Sequence, residues 1–208
     1  MAWRALTIRE VEIKIRITDV AALLEKIRGL GVRPGVRIFE RNILYDTPQS
    51  DFRGRGQLLR LRTETPVRGS SLHRPSGPVQ YGSSRGVLTS KIPAPDAKRP
   101  RFKEKIETEV IVPDPMAWQR AIQKLGLREG FRYEKYRTRF RFGGAHLDLD
   151  ETPVGVFLEI EGPPAAIDRI AGRLGFSSRD YIRATYWDLY VAYCRRTGRK
   201  PENMLFSA

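Results

Sequence analysis

The segment Glu10-Val-Glu12-Ile-Lys14 alternates charged and apolar residues, and it sets a pattern that the rest of the chain repeats. In a β-strand, side chains point alternately to opposite faces, so residues two apart share a face. Both carboxylates and the lysine therefore lie on one face, whereas Val11 and Ile13 lie on the other. The segment predicts a strand that separates a charged face from an apolar face.

Two later segments repeat the pair of glutamates spaced by one residue, Glu107-Thr-Glu109 and Glu159-Ile-Glu161. Each of the three pairs is followed by a predicted helix that ends at a Leu-Gly dipeptide, namely Leu30-Gly31, Leu125-Gly126 and Leu174-Gly175. Hard divalent cations prefer oxygen ligands, so the three pairs would form a metal site if they converge.

Charged residues are sorted by sign along the predicted strands. Asp148 and Asp150 share a face, as do the cations Arg60 and Arg62, and the series Lys135, Arg137, Arg139 and Arg141. The periodicity predicts strands at 8–17, 36–46, 58–63, 87–92, 103–112, 131–142, 145–150 and 156–161, and helices at 19–30, 115–125, 163–174 and 181–196. A barrel of about eight such strands would have an interior wide enough for one small ligand.

The net charge of +14 indicates an anionic partner, either nucleic acid or a polyphosphate. If the polar faces point inward, an anion cluster would lie beside a cation cluster. Such an interior matches a metal-bound polyphosphate, since cations grip phosphate oxygens and carboxylates hold the divalent metal. With two histidines in the chain, a zinc site or a Ser-His-Asp triad is not expected.

The 208 residues, 40% of them hydrophobic, suffice for one large domain or two small ones. No apolar run approaches the ~20 residues of a membrane span, and the N-terminus lacks a secretory signal. The single cysteine, Cys194, excludes an internal disulfide, so a cytoplasmic protein is expected. Two Pro-rich basic segments, 65–86 and 93–101, are predicted to be loops, the first of them long and mobile.

Seven elements resemble, in order, the motifs of the CYTH family, the triphosphate tunnel metalloenzymes. The first is the E-x-E-x-K segment quoted above. The others are Leu59-Arg60-Leu61-Arg62, Leu88-Thr89-Ser90-Lys91, the strand Lys103 to Glu109, Lys135-Tyr136-Arg137, the block Asp150 to Glu161, and the helix start Thr185-Tyr186-Trp187-Asp188-Leu189. The resemblance extends over residues 8–190 and is nearest to the bacterial class IV adenylate cyclases.

This resemblance implies a single domain over residues 1–208, with an α+β fold built on an eight-stranded antiparallel β-barrel and flanking helices. One or two Mg²⁺ or Mn²⁺ ions would bind to Glu10, Glu12, Glu107, Glu109, Asp150, Glu159 and Glu161. The triphosphate would bind to Lys14, Arg60, Arg62, Lys91, Lys135 and Arg137, with Lys14 either a phosphate ligand or the general base. Lys103 replaces the family's arginine and cannot bind a phosphate bidentately.

Three functions compete. The favoured one is conversion of ATP to cyclic AMP and pyrophosphate, and the alternative is hydrolysis of inorganic tripolyphosphate or thiamine triphosphate. A polyphosphate- or RNA-binding module is the non-enzymatic alternative, but paired carboxylates repel phosphate and disfavour nucleic acid. The expected partner is therefore a nucleoside, thiamine or inorganic triphosphate, with no membrane; whether the chain forms a homodimer stays open.

Several single residues also receive predictions. Arg139 and Arg141 are placed at the tunnel mouth or on the surface, and His146 is predicted to cap a hairpin. The aromatic residues of the C-terminal helix are expected to pack against the barrel, and Cys194 to be buried. Without metal, some of the paired glutamates are expected to hold protons above the usual pKa of ~4.3.

Overall fold

The computed structural model describes residues 5–68, 80–97 and 101–207, and within them the chain forms nine strands and five α-helices. The strands are β1 (Leu6–Ile17), β2 (Arg37–Asp46), β3 (Leu58–Arg68), β4 (Gln80–Tyr81), β5 (Arg85–Pro93), β6 (Lys103–Val112), β7 (Arg128–Phe142), β8 (Ala145–Thr152) and β9 (Gly155–Glu161). The helices are α1 (Val20–Gly29), α2 (Asp51–Gly54), α3 (Pro115–Lys124), α4 (Pro164–Arg173) and α5 (Tyr186–Thr197).

Eight strands close into an antiparallel barrel. The order around it is β2, β7, β8, β9, β1, β6, β5 and β3, and pairing of β3 with β2 completes the ring. The short strand β4 pairs with the end of β3. The predicted α+β fold with an eight-stranded antiparallel barrel is confirmed.

Strand β1 lies between β6 and β9, so the first glutamate pair is adjacent to the other two. Glu12 lies directly opposite Lys103 of β6 and Glu161 of β9, and Lys14 lies opposite Glu159. Pairs that are far apart in sequence therefore become neighbours on one curved surface.

The apolar faces of the strands point outward and are covered by helices. Helices α1 and α4 pack over β1, β8 and β9, where Ile13, Leu149 and Ile160 are almost completely buried. Helix α3 covers β3 and β6, and α5 covers aromatic residues of β7 and β9. Because the hydrophobic core lies between the barrel wall and the helices, the interior of the barrel is left to polar side chains.

The predicted loop at 65–86 is partly strand. β3 continues through Arg68 and β5 begins at Arg85, with β4 between them. Proline content suggested a loop, but Pro66 still pairs with β2, and its carbonyl accepts a hydrogen bond from the Gly82 N–H at 2.8 Å. The remainder of the predicted loop, 69–79, lies outside the described residues, as do 98–100 of the second one.

The predicted C-terminal helix begins at Tyr186, later than expected. The preceding segment is tied to β1, because the Ile182 N–H donates to the Lys14 carbonyl at 2.7 Å. Thr185 then caps the helix, and the carboxylate of Asp188 accepts from the Thr185 N–H in return. Cys194 is buried, as predicted, and no helix among the described residues is long and apolar enough to cross a membrane.

We predict that Ile160→Ala lowers the free energy of unfolding by about 2–5 kcal/mol, because it opens a void in a close-packed layer. Ile160 is fully buried between β9 and the helices. The control is Leu125→Ala, whose side chain is 81% exposed and for which we expect a change within about 0.5 kcal/mol. Urea unfolding measures both, and equal losses would contradict a core outside the barrel.

Candidate active site

The barrel encloses a cavity of about 860 Å³, a volume typical of small-molecule sites. Its wall carries six acidic and six basic side chains predicted from the sequence. They are Glu10, Glu12, Glu107, Glu109, Glu159 and Glu161, and Lys14, Arg60, Arg62, Lys91, Lys135 and Arg137. The structure thus brings them together in one interior, as the strand alternation predicts.

Lysines neutralise the two carboxylates of β1. Lys91 Nζ lies 2.7 Å from both carboxylate oxygens of Glu10 and also contacts Glu107. Lys103 Nζ donates to Glu12 Oε1 at 2.6 Å. Burial alone would raise the pKa of Glu12, but Lys103 and the neighbouring lysines lower this pKa to about 2. A metal ion at Glu12 must therefore compete with Lys103 and not with a proton.

Glu161 differs from the other five glutamates, since it alone makes no ion pair with a described residue. It lies directly opposite Glu12, and like charges in that arrangement repel. Burial and the nearby Glu10 carboxylate raise the pKa of Glu161 to about 7. This agrees with the expectation that some of the paired glutamates hold protons, and it marks where an added cation would relieve most repulsion.

A hard divalent cation fits the donors at this position. Glu12 of β1 lies opposite Glu161 on the adjacent strand β9, and Glu10 lies on the same face of β1 as Glu12. All the donors are therefore carboxylate oxygens. Within the described residues, no three potential ligands are already gathered as a metal site. Lys91 and Lys103 hold two of the carboxylates instead, so metal binding requires these ammonium groups to move.

The paired arginines lie on β3, three strands around the barrel from β1. Arg60 donates from its two terminal nitrogens to Tyr133 Oη at 3.3 Å and to Thr89 Oγ1 at 3.2 Å. Arg62 donates to Glu109 Oε1 at 3.0 Å. The buried Nε–H of Arg60 has no acceptor among the described residues. A buried donor without a partner is costly, so this group is available for an anion.

Asp150 accepts hydrogen bonds from two cations that line the cavity. It accepts from Lys135 Nζ at 2.8 Å, from Arg137 Nε at 2.6 Å and from the Tyr186 hydroxyl at 2.6 Å. Its side chain is fully buried and does not line the cavity. The metal role of Asp150 therefore stays a prediction, and the contacts that the structure shows are those with Lys135, Arg137 and Tyr186.

Lys14 contacts a carboxylate, a backbone carbonyl and an aromatic ring. Its Nζ lies 3.1 Å from Glu159 Oε1, donates to the Ala184 carbonyl at 3.2 Å, and sits 4.3 Å from the centre of the Tyr186 ring. Both roles left open by the sequence, a phosphate ligand and a general base, stay predictions.

Other charged groups around the cavity were not among the predicted site residues. Asp148 lines the wall and holds Arg139, which lies at the edge of the cavity as predicted. Glu40 is buried beside Lys135, with 3.5 Å between the charged atoms. His146 lies within β8 and lines the cavity, so the prediction of a hairpin cap was wrong. The alternation of inward and outward residues along β2 and β8 could have identified Glu40, Asp148 and His146 as inward-facing.

Comparison with known proteins gives one family match that covers most of the chain. The model of the CYTH domain matches residues 9–186. A curated protein of Methanocaldococcus jannaschii, named a "putative adenylate cyclase", is 26% identical over 191 residues, covering 86% of this chain and 97% of that protein.

Solved structures share the fold at low sequence identity. A Pyrococcus horikoshii protein has a TM-score of 0.68 and 24% identity, covering 88% of this chain and 99% of its own. A Vibrio parahaemolyticus protein titled a "putative adenylate cyclase" has a TM-score of 0.64 and 20% identity, covering 86% and 96%. A Hippeastrum protein, described as a "putative adenylyl cyclase" with a dominant triphosphatase activity, has a TM-score of 0.53 and 19% identity, covering 92% and 97%.

We predict that Mn²⁺ affinity rises as the pH increases through about 7, because a proton must leave Glu161 before it can bind a cation. Glu161→Gln should bind Mn²⁺ more weakly and with a flatter pH dependence. Glu25→Gln, at an exposed position on α1, is the matched control. Isothermal titration calorimetry on both sides of neutrality measures the affinities, and the same pH dependence in the wild type and Glu161→Gln would contradict this assignment.

We predict that Asp150→Asn weakens triphosphate binding far more than Mn²⁺ binding, because it removes the carboxylate charge that Lys135 and Arg137 share without removing a ligand from the cavity wall. Calorimetry with tripolyphosphate and with Mn²⁺ separates the two effects, and the far-ultraviolet circular dichroism spectrum checks that the variant folds. A larger loss of Mn²⁺ affinity than of triphosphate affinity would instead support the metal role that the sequence predicts for Asp150.

Proposed function

This chain belongs to the CYTH domain family, and from that premise we propose that it is a divalent-metal-dependent enzyme that binds its triphosphate substrate inside the barrel. The observation that carries the proposal is the presence of a carboxylate cluster and a cation cluster in one cavity. A site for phosphate alone would need only cations, and a site for metal alone would need only carboxylates. A metal-bound triphosphate needs both.

The cations are held ready for phosphate oxygens. Arg60 keeps a buried Nε–H without an acceptor among the described residues, while Asp150 fixes Lys135 and Arg137. Donors that are already oriented stabilise charge as it develops, without the cost of reorganising at the moment of reaction. A bound divalent cation would offset further phosphate charge and activate the attacking oxygen.

The favoured reaction is that of an adenylate cyclase. The 3′-oxygen of the ATP ribose attacks the α-phosphorus and its proton passes to solvent water, the bond from the α-phosphorus to its bridging oxygen breaks, and pyrophosphate leaves. Charge accumulates on the leaving pyrophosphate, where Arg60, Arg62 and Lys135 can offset it. The names of the Methanocaldococcus and Vibrio relatives support this choice.

Hydrolysis of a triphosphate is the second candidate. Water would attack the terminal phosphorus of thiamine triphosphate or inorganic tripolyphosphate, and the same cations would hold the diphosphate that leaves. The specific support is the Hippeastrum protein, which has this fold and is described as mainly a triphosphatase.

A product assay tests the proposal and separates the two reactions. The protein is incubated with ATP, thiamine triphosphate and tripolyphosphate, each with Mg²⁺ and with Mn²⁺, and the products are identified by mass spectrometry. Cyclic AMP with pyrophosphate identifies the cyclase, whereas a diphosphate with inorganic phosphate identifies hydrolysis. No turnover in any arm, together with binding that responds to salt and not to a chelator, would indicate a phosphate-binding module instead.

We predict that Arg60→Ala lowers kcat/KM by roughly tenfold to a hundredfold, because it removes charge-assisted hydrogen bonds worth about 1.5–3 kcal/mol each. The control is Arg120→Ala, an exposed arginine on α3 outside the cavity. Steady-state kinetics with the best substrate of the product assay measures both variants, and equal effects at the two positions would count against the arginine clamp.

A further inference from the structure

One mouth of the cavity is lined by aliphatic side chains. Leu6, Ile8 and Ile111 are 62%, 37% and 58% exposed, and all three line the cavity. Val87, directly opposite Ile111 across β5 and β6, is buried but also lines the cavity. We call these four residues the apolar rim. Surface aliphatic residues gathered at the edge of a charged cavity differ from the scattered ones that any protein exposes.

The apolar rim is continuous with the charged site. Ile8 precedes Glu10 by two residues on the same face of β1, a distance of about 7 Å along the strand. Leu6 lies directly opposite Glu109, the last carboxylate of β6 before Ile111. A molecule whose phosphates occupy the charged interior would therefore place its next atoms against this rim.

Side chains at the opposite mouth already have partners within the chain. Lys105 Nζ donates to the Gly56 carbonyl at 2.7 Å, which ties β6 to the segment after α2. The ring of Trp187 is covered by the Arg53 guanidinium at 5.0 Å and meets the Phe131 ring at 4.9 Å. An organic group there would have to displace these partners, whereas the rim offers exposed surface.

The chemistry of the rim selects among triphosphates. Inorganic tripolyphosphate presents charged oxygens at every point and gains nothing from aliphatic side chains. A triphosphate ester of an organic group with a heteroaromatic ring would remove apolar surface from water on both sides, which is favourable. We propose that the apolar rim binds the organic group of the substrate, so that the enzyme prefers an organic triphosphate to inorganic tripolyphosphate; this inference rests on the proposed function.

The test compares organic and inorganic substrates in a rim variant. Leu6→Ser/Ile111→Ser removes aliphatic surface at two exposed positions, so the fold should persist, and thermal unfolding checks this. The variant should lower kcat/KM for the better of ATP and thiamine triphosphate by roughly tenfold, while kcat/KM for tripolyphosphate should stay unchanged. Leu125→Ser, an equally exposed aliphatic position outside the cavity, is the control and should change neither value.

Comparing the three substrates also identifies the organic group. It shows, in addition, whether a negative result contradicts the rim proposal or the proposed function. A loss confined to ATP assigns the rim to a nucleoside, and a loss confined to thiamine triphosphate assigns it to thiamine. Equal changes for organic and inorganic substrates, or no change for any, would overturn the rim proposal and leave the triphosphate site intact. If wild-type protein neither turns over nor binds any of the three by calorimetry with Mg²⁺, the proposed function itself fails, and the rim proposal falls with it.

Discussion

A charge buried inside a protein is stable only when an opposite charge lies beside it, and the interior of this barrel depends on that constraint. Lys135 and Asp150 are almost completely excluded from solvent, and breaking such a pair by removing one partner typically costs several kcal/mol. The lysines at Glu10 and Glu12 follow the same rule. Under the proposed function, a metal ion and a triphosphate would therefore enter by exchange, with the metal taking carboxylates from lysines and the phosphates taking the lysines so released.

The stability of the fold has to come from outside the barrel. Charged pairs in the interior contribute little net stability, since desolvation offsets much of their attraction. The aliphatic layer between β1, β8, β9 and helices α1 and α4 is nearly free of solvent, and its burial supplies the favourable free energy of folding. Because the apolar layer outside the barrel stabilises the fold, the charged residues inside it can be used for binding and catalysis. This separation also explains why apolar and charged residues alternate so regularly along β1.

Sequence alone predicted which side chains face the interior, because the alternation of a strand has a period of two whatever its neighbours are. It did not predict which cation meets which carboxylate, since the pairing of Lys91 with Glu10 depends on the order and register of strands distant in sequence. The same limit applies to Asp150. Its spacing within β8 does not distinguish a carboxylate that binds a metal in the cavity from one that binds Arg137. Helix α2 was missed because its first N–H groups bond to Asp46, outside the helix itself.

We propose that the carboxylates of β1 and β9 and the cations of β3 and β7 bind one metal–triphosphate complex inside the barrel. A crystal structure with Mn²⁺ and a non-hydrolysable triphosphate analogue, using the anomalous scattering of manganese, tests it most directly. We expect a manganese peak at Glu12 and Glu161, with phosphate oxygens against Arg60 and with Lys103 withdrawn from Glu12. Manganese and analogue bound outside the barrel, with the Lys103–Glu12 pair intact, would contradict it.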